Sequence, residues 1–408
     1  MDIKEVFNLV LEDIKPTKQE EKEVKEASKK IINKIKIRDA KVIPGGSGAK
    51  GTWLRDDYDV DLYVKFNYKK YKLKDISKIL GKGLNKKFKK VERLHGSRDY
   101  YRIKEDKYTF EIIPILDIKK SEEALNITDL SPFHTKYVGK YKKLADDIRL
   151  AKAFCKSQKV YGAESYIMGF SGYVLEILVI YYGSFINLLK NAVKWKKQEV
   201  IGDKRAAEKL NISKKHSPLI IIDPVQKDRN AAAALSEKTY NTFIETAKEF
   251  LNNPNKEFFE VKEPSHDELK INAGNDILIH LDIIPNQGKE DVVGAKMVKC
   301  FNFIKTKLEE NEFEIKEADW HWNKKASFWF IIDNKNLEPI KKHYGPPLRF
   351  KESVENFKKK WKGYRFKEES GIIYVEIERK FTTPLDLVKD LVKDKNIKEW
   401  VKDIQISP

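Results

Sequence analysis

A turn rich in glycine, followed within a few residues by two aspartates at the head of an apolar strand, constrains the fold of this chain more than any other feature. The turn lies in Gly46–Leu54, and the aspartates are Asp59 and Asp61. Side chains alternate along a strand, so both carboxylates project from one face and apolar side chains from the other. They are spaced about 7 Å apart along the strand, which suits oxygen ligands that share or flank divalent cations of the Mg2+ type.

The turn predicts a phosphate-binding site beside these acids. Glycines at 45, 46 and 48 allow backbone N–H groups to point toward an anion at the start of a helical turn, and the Ser47 hydroxyl can add a contact. Gly46, Ser47 and Lys50 are therefore candidate nucleotide-binding residues, and a triphosphate would complete the coordination of the cations. The alternative is that Asp-x-Asp arises by chance in a chain rich in acids, although the preceding turn weakens it.

A third carboxylate, Glu111, lies in the otherwise apolar strand Tyr108–Pro114. A charge flanked by Phe110 and Ile112 is costly to remove from water unless it is paired or bound to a metal. Glu111 is therefore the candidate third member of a catalytic carboxylate group. An edge strand whose glutamate is simply solvated is the alternative.

Charge and cysteine content narrow the class of partner and the compartment. The 81 Lys and Arg residues exceed the 63 acids, giving a net charge of +18, which predicts attraction to polyanions. Nucleic acid is favoured over an anionic membrane, and a lysine-rich proteome is the alternative source of the charge. Two distant cysteines, Cys155 and Cys300, predict no disulfide framework, and the chain start lacks a secretory signal, so a cytoplasmic protein is expected.

The apolar segment Tyr166–Leu189 contains a single charge, Glu176. A glutamate near the middle of a membrane span would cost several kcal/mol. The segment therefore favours a helix buried inside a globular domain over a membrane span, and no membrane partner is expected.

The pattern of elements predicts an α+β multidomain protein. A capping box at Thr17–Glu20 begins a helix expected to pack on the first sheet. Three domains are predicted: an α/β catalytic domain at 1–139, a mainly helical domain at 140–257 and a C-terminal α/β domain at 258–408. The strands predicted for the first domain are 40–44, 60–66, 99–105 and 108–117; those for the third are 276–284, 312–322, 327–333 and 371–378, around helices near 290–310 and 352–361.

Further motifs follow the acids in a fixed order. They are His95-Gly96-Ser97, Phe110–Pro114, Ser131–His134, Tyr161–Glu164, Gly169–Tyr173, Tyr182–Phe185, Asp223–Val225, Arg229-Asn230 and Arg379–Pro384. With the turn and the acids, these motifs resemble the polymerase-beta-like nucleotidyltransferases, and among them the archaeal-type, class I CCA-adding tRNA nucleotidyltransferases. The resemblance runs from near residue 46 to near residue 384, which is most of the chain.

The resemblance implies template-independent addition of CCA to the 3′ end of tRNA from CTP and ATP. It implies a two-metal nucleotidyl transfer that releases pyrophosphate, with Asp59, Asp61 and Glu111 as ligands of Mg2+ and Glu111 nearest to a general base. Members of the family commonly have Asp where this chain has Glu111, which lengthens the ligand arm by one methylene. The domains would be a polymerase-beta-like catalytic domain, a central nucleotide-binding domain and an RNA-binding domain.

The resemblance also implies roles for residues outside the acids. Lys152 and Tyr161 would contact the triphosphate from the helical domain, His134 would lie with Ser47 on the catalytic side, and Arg229 would read the base edge with its guanidinium fork. A basic C-terminal face would grip the acceptor and TΨC arms of tRNA by their phosphates; it comprises Lys341, Lys342, Arg349, Lys358, Lys359, Lys360, Trp361, Lys362 and Arg365.

Two rival functions and the oligomeric state stay open at this point. A poly(A) or oligoadenylate polymerase could use the same catalytic module, and a non-catalytic RNA-binding protein could retain the fold. Pairing into a homodimer is also left open.

Overall fold

The computed structural model describes residues 2–323 and 325–407, which form two compact units. The first unit ends at Lys262 and the second begins at Glu263. Helices and strands occur in both, which confirms the predicted α+β class. The predicted boundary at residue 139 lies within the first unit, so the division into three domains stays a prediction.

The first unit contains both helices and strands. Its helices are α1 (Ile3–Ile14), α2 (Lys18–Lys34), α3 (Gly46–Lys50), α4 (Tyr68–Tyr71), α5 (Ile76–Asn85), α6 (Ser131–Val138), α7 (Ala145–Ser157), α8 (Gly172–Tyr182), α9 (Phe185–Ala192), α10 (Lys204–Glu208) and α11 (Glu237–Asn252). Its strands are β1 (Ala40–Pro44), β2 (Asp59–Asn67), β3 (Glu92–Leu94), β4 (Tyr100–Glu105), β5 (Tyr108–Asp117), β6 (Glu199–Ile201) and β7 (Leu219–Ile221).

A five-stranded mixed sheet organises the first half of this unit. Its strand order is β1-β2-β5-β4-β3, and only β2 and β5 run parallel among its neighbouring pairs. Asp61 lies directly opposite Glu111 in that parallel register. Because paired residues of adjacent strands project from the same face, the two carboxylates share one side of the sheet.

The two faces of this sheet have different coverings. On the apolar face, Ile31 of α2 and Leu80 of α5 share one core with Leu62, Val64 and Phe66 of β2. Helix α2 begins with the predicted capping box, in which Thr17 accepts from the Glu20 N–H and Glu20 accepts from the Thr17 N–H. On the other face, α3 packs against β2 and α6. The acids thus project from the face that α3 partly covers.

The helical half of the unit has its own core, which includes the N-terminal helix. Val6 and Val10 of α1 are fully buried in that core, and Phe7 stacks on Phe250 of α11 with ring centroids 5.9 Å apart. The prediction placed α1 in the catalytic domain, whereas the structure packs it with α7. Its apolar side chains recur at helical spacing and are buried there, while the next helix, α2, packs on the sheet.

The apolar segment at 166–189 folds as two short helices. Helix α8 ends at Tyr182 and is capped by Gly183, whose φ of +79° suits glycine. The chain bends by 91° between α8 and α9. Val174, Leu175 and Leu178 of α8 are buried in the helical core. Among the described residues no single helix is long and apolar enough to span a membrane. Helices α8 and α9 taken together would be long and apolar enough, by length and composition only.

The second unit contains two antiparallel sheets. Its elements are α12 (His266–Ala273), β8 (Ile277–Pro285), α13 (Glu290–Glu310), β9 (Ile315–Trp322), β10 (Ala326–Ile332), β11 (Ile340–Pro347), α14 (Lys351–Lys360), β12 (Phe366–Glu369), β13 (Ile372–Glu378), α15 (Pro384–Leu391), α16 (Lys395–Trp400) and β14 (Val401–Ile406). The sheet orders are β14-β8-β10-β9 and β11-β13-β12. The four predicted strands and two predicted helices are confirmed; β11, β12 and β14 were not predicted.

Candidate active site

The sheet face beneath α3 concentrates negative charge. Asp59 and Asp61 lie two residues apart on β2, and Glu111 lies opposite Asp61 on β5. Burial raises the pKa of Asp61 to about 7, and the charges of Glu111 and Asp59 add to the rise while Lys50 opposes it. The carboxylates are thus close enough to repel one another, which is the condition that a bound cation relieves.

The donor set fits a divalent cation in chemistry, although the side chains do not form a finished metal site. Among residues 2–323 and 325–407 no group of three or more His, Cys, Asp and Glu side chains has the arrangement of a metal centre. Arg102 lies across from Glu111 on β4 and donates from Nη2 to Oε1 at 2.9 Å. Carboxylate oxygens are nonetheless the ligands that Mg2+ prefers.

Arg102 is a site residue that sequence reasoning missed. It occupies the position directly opposite Glu111 in the antiparallel β4–β5 pair. The signal was present, because strands joined by the short connection at Asp106-Lys107 fix which residues face each other. A charge opposite the third acid is therefore readable from a hairpin register, but only once the strand bounds are known.

The glycine turn contacts Asp61 directly. Gly46 has a φ of +54°, and a Cβ built there would lie 1.6 Å from Asp61 Oδ2. Its neighbour Gly45 donates its N–H to the Asp61 carbonyl oxygen at 2.9 Å, and the Gly46 N–H donates to the Tyr63 hydroxyl at 3.2 Å. Only glycine fits both the conformation and the space. Ser47 follows in the first turn of α3.

Lys50 and Lys152 converge on a buried carboxylate. Lys50 Nζ lies 2.7 Å from Glu176 Oε2, and Lys152 Nζ lies 3.3 Å from Glu176 Oε1. Thr52 joins them, because its carbonyl and hydroxyl oxygens accept from Lys152 at 3.0 and 3.1 Å and its hydroxyl donates to Glu176 at 2.9 Å. Burial lowers the pKa of Lys152, since Lys152 is only 3% exposed.

Tyr161 lies beside this lysine pair. A Cβ built on Gly172 would lie 2.9 Å from the Tyr161 hydroxyl and 3.8 Å from Lys152 Nζ, so both groups line the first residue of α8. Burial raises the pKa of Tyr161, so its hydroxyl stays protonated and able to donate at neutral pH. Lys50, predicted from the glycine turn, and Lys152 and Tyr161, implied by the family resemblance, therefore lie in one region.

A second buried acid, Asp223, lies close to two further predicted residues, Arg229 and His134. It accepts from Arg229 Nη1 at 2.7 Å and from the Tyr173 hydroxyl at 2.9 Å. His134 Nε2 lies 3.4 Å from the same carboxylate, without hydrogen-bond geometry, and the His134 ring stacks on Tyr173 with centroids 4.0 Å apart. Burial alone would raise the pKa of Asp223, but His134, the Val225 N–H and Arg229 together lower it to about 2.

Tyr173 connects the two groups, because Lys50 Nζ lies 5.3 Å from the centre of its ring. The structure thus brings the predicted residues into one continuous region around α3. Sequence reasoning missed the roles of Glu176, Asp223 and Tyr173 as shared partners. Their contacts span between 6 and 126 residues of sequence, and no local pattern reports the longer ones.

Three family models match the chain in order. They are a nucleotidyltransferase domain at residues 22–123, the second domain of tRNA nucleotidyltransferase at 146–260 and the C-terminal domain of the CCA-adding enzyme at 284–404.

Curated relatives match over most of their length. The chain is 35% identical to the CCA-adding enzyme of Nanoarchaeum equitans over 350 residues, which cover 84% of each chain. It is 31% identical to the CCA-adding enzyme of Methanocaldococcus jannaschii over 417 residues, covering 96% of this chain and 91% of that one. Among solved structures, the Cid1 poly(U) polymerase with Mg 3′-dATP bound matches with a TM-score of 0.51 at 16% identity, covering 64% of this chain and 98% of that one. This last likeness concerns the fold alone.

The contact between the glycine turn and Asp61 predicts an asymmetry between two glycines. Gly46→Ala should lower the free energy of unfolding by about 2 kcal/mol or more, since the new methyl overlaps a carboxylate oxygen and the backbone is strained. Gly51→Ala, at a φ of +71° with no atom within 4 Å of its Cβ, should cost about 1 kcal/mol. Urea unfolding of both variants measures the difference; equal losses would contradict the close contact.

Proposed function

The chain belongs to the CCA-adding enzymes, and from that premise we propose that Asp59, Asp61 and Glu111 hold Mg2+ while tRNA is extended at its 3′ end. The family adds nucleotides to tRNA without a template, and this chain is accordingly a tRNA nucleotidyltransferase that uses CTP and ATP. The observation that carries the metal assignment is the in-register pairing of Asp61 with Glu111 on parallel strands, with Asp59 on the same face.

The electrostatics of the three acids support this assignment. The raised pKa of Asp61 reflects burial first and the charges of Glu111 and Asp59 second, and divalent cations would relieve the repulsion among these carboxylates. When bound, the cations would activate the terminal 3′-hydroxyl of the tRNA and stabilise the leaving pyrophosphate. Glu111 would supply a carboxylate ligand to the cations, and Arg102 donates to its Oε1 in the substrate-free protein.

Lys50, Lys152 and Tyr161 are proposed to bind the triphosphate, together with Gly46 and Ser47 of the turn. Two ammonium groups and a protonated phenol lie in one region, and the charge of Lys50 also acts on Asp61. A triphosphate carries several negative charges, and cations arranged in advance offset them without reorganisation at each turnover. The same arrangement has no evident use in a protein that only binds RNA.

Arg229 is proposed to read the base edge, with His134 beside it. Asp223 holds one guanidinium nitrogen, and the Arg229 side chain remains 31% exposed, so other N–H donors of the fork can face a nucleotide. His134 is fixed by stacking on Tyr173 and projects from α6, next to α3. Base choice would then depend on a guanidinium whose orientation is set by a fully buried carboxylate.

The basic face of the second unit is proposed to hold the acceptor and TΨC arms of tRNA. Helix α14 ends with Lys358, Lys359 and Lys360, and aromatic side chains lie among these cations. Arg349 stacks over Phe350 at 4.9 Å, and Tyr344, Phe350 and Tyr364 are each about half exposed. Such a surface suits phosphates and riboses more than a specific base sequence.

The reaction is tested with tRNA that ends at its discriminator base, offered Mg2+ and each nucleotide alone or together. Ordered incorporation of C, C and then A is expected, and chelation of the cations should abolish it. Asp61→Ala should reduce incorporation at least about 10³-fold with little change in tRNA affinity. Asp117→Ala, at the far end of β5 and paired with Lys65, is the control and should retain activity. Runs of A without C would instead favour a poly(A) polymerase.

The assignment of base choice is tested at Arg229 and its partner. Arg229→Ala should relax discrimination between CTP, ATP and UTP by about tenfold or more, because a donor to the base edge is lost. Asp223→Asn should do the same in part, since the guanidinium loses a charged anchor. Relative kcat/KM values for the three nucleotides measure this, and unchanged ratios in Arg229→Ala would refute the role.

The pairing of Arg102 with Glu111 predicts a change in metal affinity. Arg102→Gln removes a positive charge beside the acids, so divalent cations should bind about threefold to tenfold more tightly. Arg102→Lys keeps the charge and should resemble the unaltered protein. Calorimetric titration with Mn2+ or Mg2+ in the absence of nucleotide gives the affinities, and weaker binding to Arg102→Gln would contradict the competition.

A further inference from the structure

Glu176 is a buried acid of the helical half that the proposed reaction does not use. It lies in the second turn of α8, between Leu175 and Ile177, and is 1% exposed. Both carboxylate oxygens are engaged, Oε2 by Lys50 and Oε1 by Lys152 and the Thr52 hydroxyl. An apolar helix therefore carries one charge, and that charge meets two lysines from other elements.

The two lysines reach Glu176 from different parts of the unit. Lys50 is the last residue of α3, which packs on the sheet, and Lys152 lies in the middle of α7 in the helical core. Without a carboxylate between them the two ammonium groups would repel, and at low local dielectric that repulsion is strong. Long lysine side chains would then turn apart toward water and lose their common orientation.

We propose that Glu176 is a positioning residue for phosphate binding, which holds Lys50 and Lys152 toward one point without itself touching the nucleotide. The inference rests on the proposed role of these lysines as triphosphate ligands. Glu176 keeps both ammonium groups in a fixed arrangement before the substrate arrives. The phosphates then meet cations that are already placed, which lowers the entropic cost of binding.

A purely structural salt bridge is the rival interpretation. Buried ion pairs stabilise folded proteins weakly, because the cost of removing charges from water offsets their attraction. An apolar residue at position 176 would suit the core of α8, which is otherwise formed by Val174, Leu178 and similar side chains. The partners of Glu176 favour positioning, since the charge of Lys50 also acts on Asp61 and Lys152 lies beside Tyr161.

The charges around Lys152 make the proposal testable by pH. Glu176 faces it from α8, Lys50 from α3, and Asp57 from the loop before β2, while Tyr161 lies alongside. Burial and Lys50 lower the pKa of Lys152, whereas Glu176 and Asp57 raise it. The folded protein therefore depends on the negative charge of Glu176 to keep the lysine protonated at alkaline pH.

The experiment compares Glu176→Gln, Glu176→Asp and Lys152→Ala by steady-state kinetics with CTP and ATP between pH 6 and 10, with a tRNA substrate. Glu176→Gln keeps the shape and removes the charge. We expect the KM for nucleotide to rise about tenfold or more, with a smaller change in kcat and in tRNA affinity. The alkaline limb of kcat/KM should move to lower pH by about one unit, because Lys152 then loses its proton more readily.

Two further variants separate positioning from folding. Glu176→Asp keeps the charge but shortens the arm, so it should raise the KM while leaving the alkaline limb in place. Asp147→Asn alters a carboxylate of the same helix α7 that caps α9 at the Phe185 N–H, away from the lysines. It should lower the melting temperature without changing the KM or the pH limb. If Glu176→Gln fails to fold, Glu176→Asp alone decides, since an unchanged KM would overturn the positioning role.

The outcomes distinguish this inference from the proposed function. If Lys152→Ala raises the KM for nucleotide but Glu176→Gln changes neither the KM nor the pH limb, the positioning role is wrong and the triphosphate site stands. If Lys152→Ala leaves the KM unchanged, the triphosphate assignment fails and takes this inference with it. A fall in melting temperature with unaltered kinetics in Glu176→Gln would assign the ion pairs to stability alone.

Discussion

The parallel, in-register pairing of β2 with β5 is the constraint on which the rest of the site depends. It places Asp61 opposite Glu111 on one face, while Leu62, Val64 and Phe66 hold the opposite face in the apolar core. A shift of one residue would send every side chain of a strand to the other face, so the core and the acids fix each other. The close approach of Gly46 to Asp61 follows from a second pairing, the antiparallel register of β1 with β2, which the Gly45 N–H extends by donating to the Asp61 carbonyl oxygen.

Two buried acids in the helical half position the basic side chains of the site. Glu176 and Asp223 are 1% and 0% exposed, and each binds groups from elements far apart in sequence. A carboxylate out of water is tolerated only when its oxygens are satisfied, so each acid requires its partners to converge. The burial that makes these acids costly in isolation therefore makes the positions of Lys50, Lys152 and Arg229 well defined.

Local patterns were enough to predict much of this fold. Alternation predicted β1, β2, β4 and β5 within about a residue, and the Thr17 capping box predicted the start of α2. Features that depend on distant contacts were missed. Glu176 looked only like the one charge in an apolar segment, because its partner Lys50 is 126 residues away. Strand β11 was missed since its mixed sequence, with charged residues and two prolines, lacks clean alternation.

Placing α1 required the same kind of information. The sequence shows that its apolar residues recur at helical spacing, but not which core receives them. Arg55, which follows α3, donates its backbone N–H to the Ile14 carbonyl oxygen and its side chain to the Glu12 carbonyl oxygen. The end of α1 is therefore bonded to the segment between α3 and β2, while its apolar side is buried in the helical core. The position of α1 is therefore determined by tertiary packing and not by its own hydrophobic pattern.

Several charged side chains of the site form ion pairs before any substrate is present. Glu111 is paired with Arg102, the two lysines with Glu176, and Arg229 with Asp223. Binding of cations and a triphosphate would then exchange or extend these ion pairs. Such an arrangement limits the reorganisation that accompanies binding, because the side chains already occupy their places.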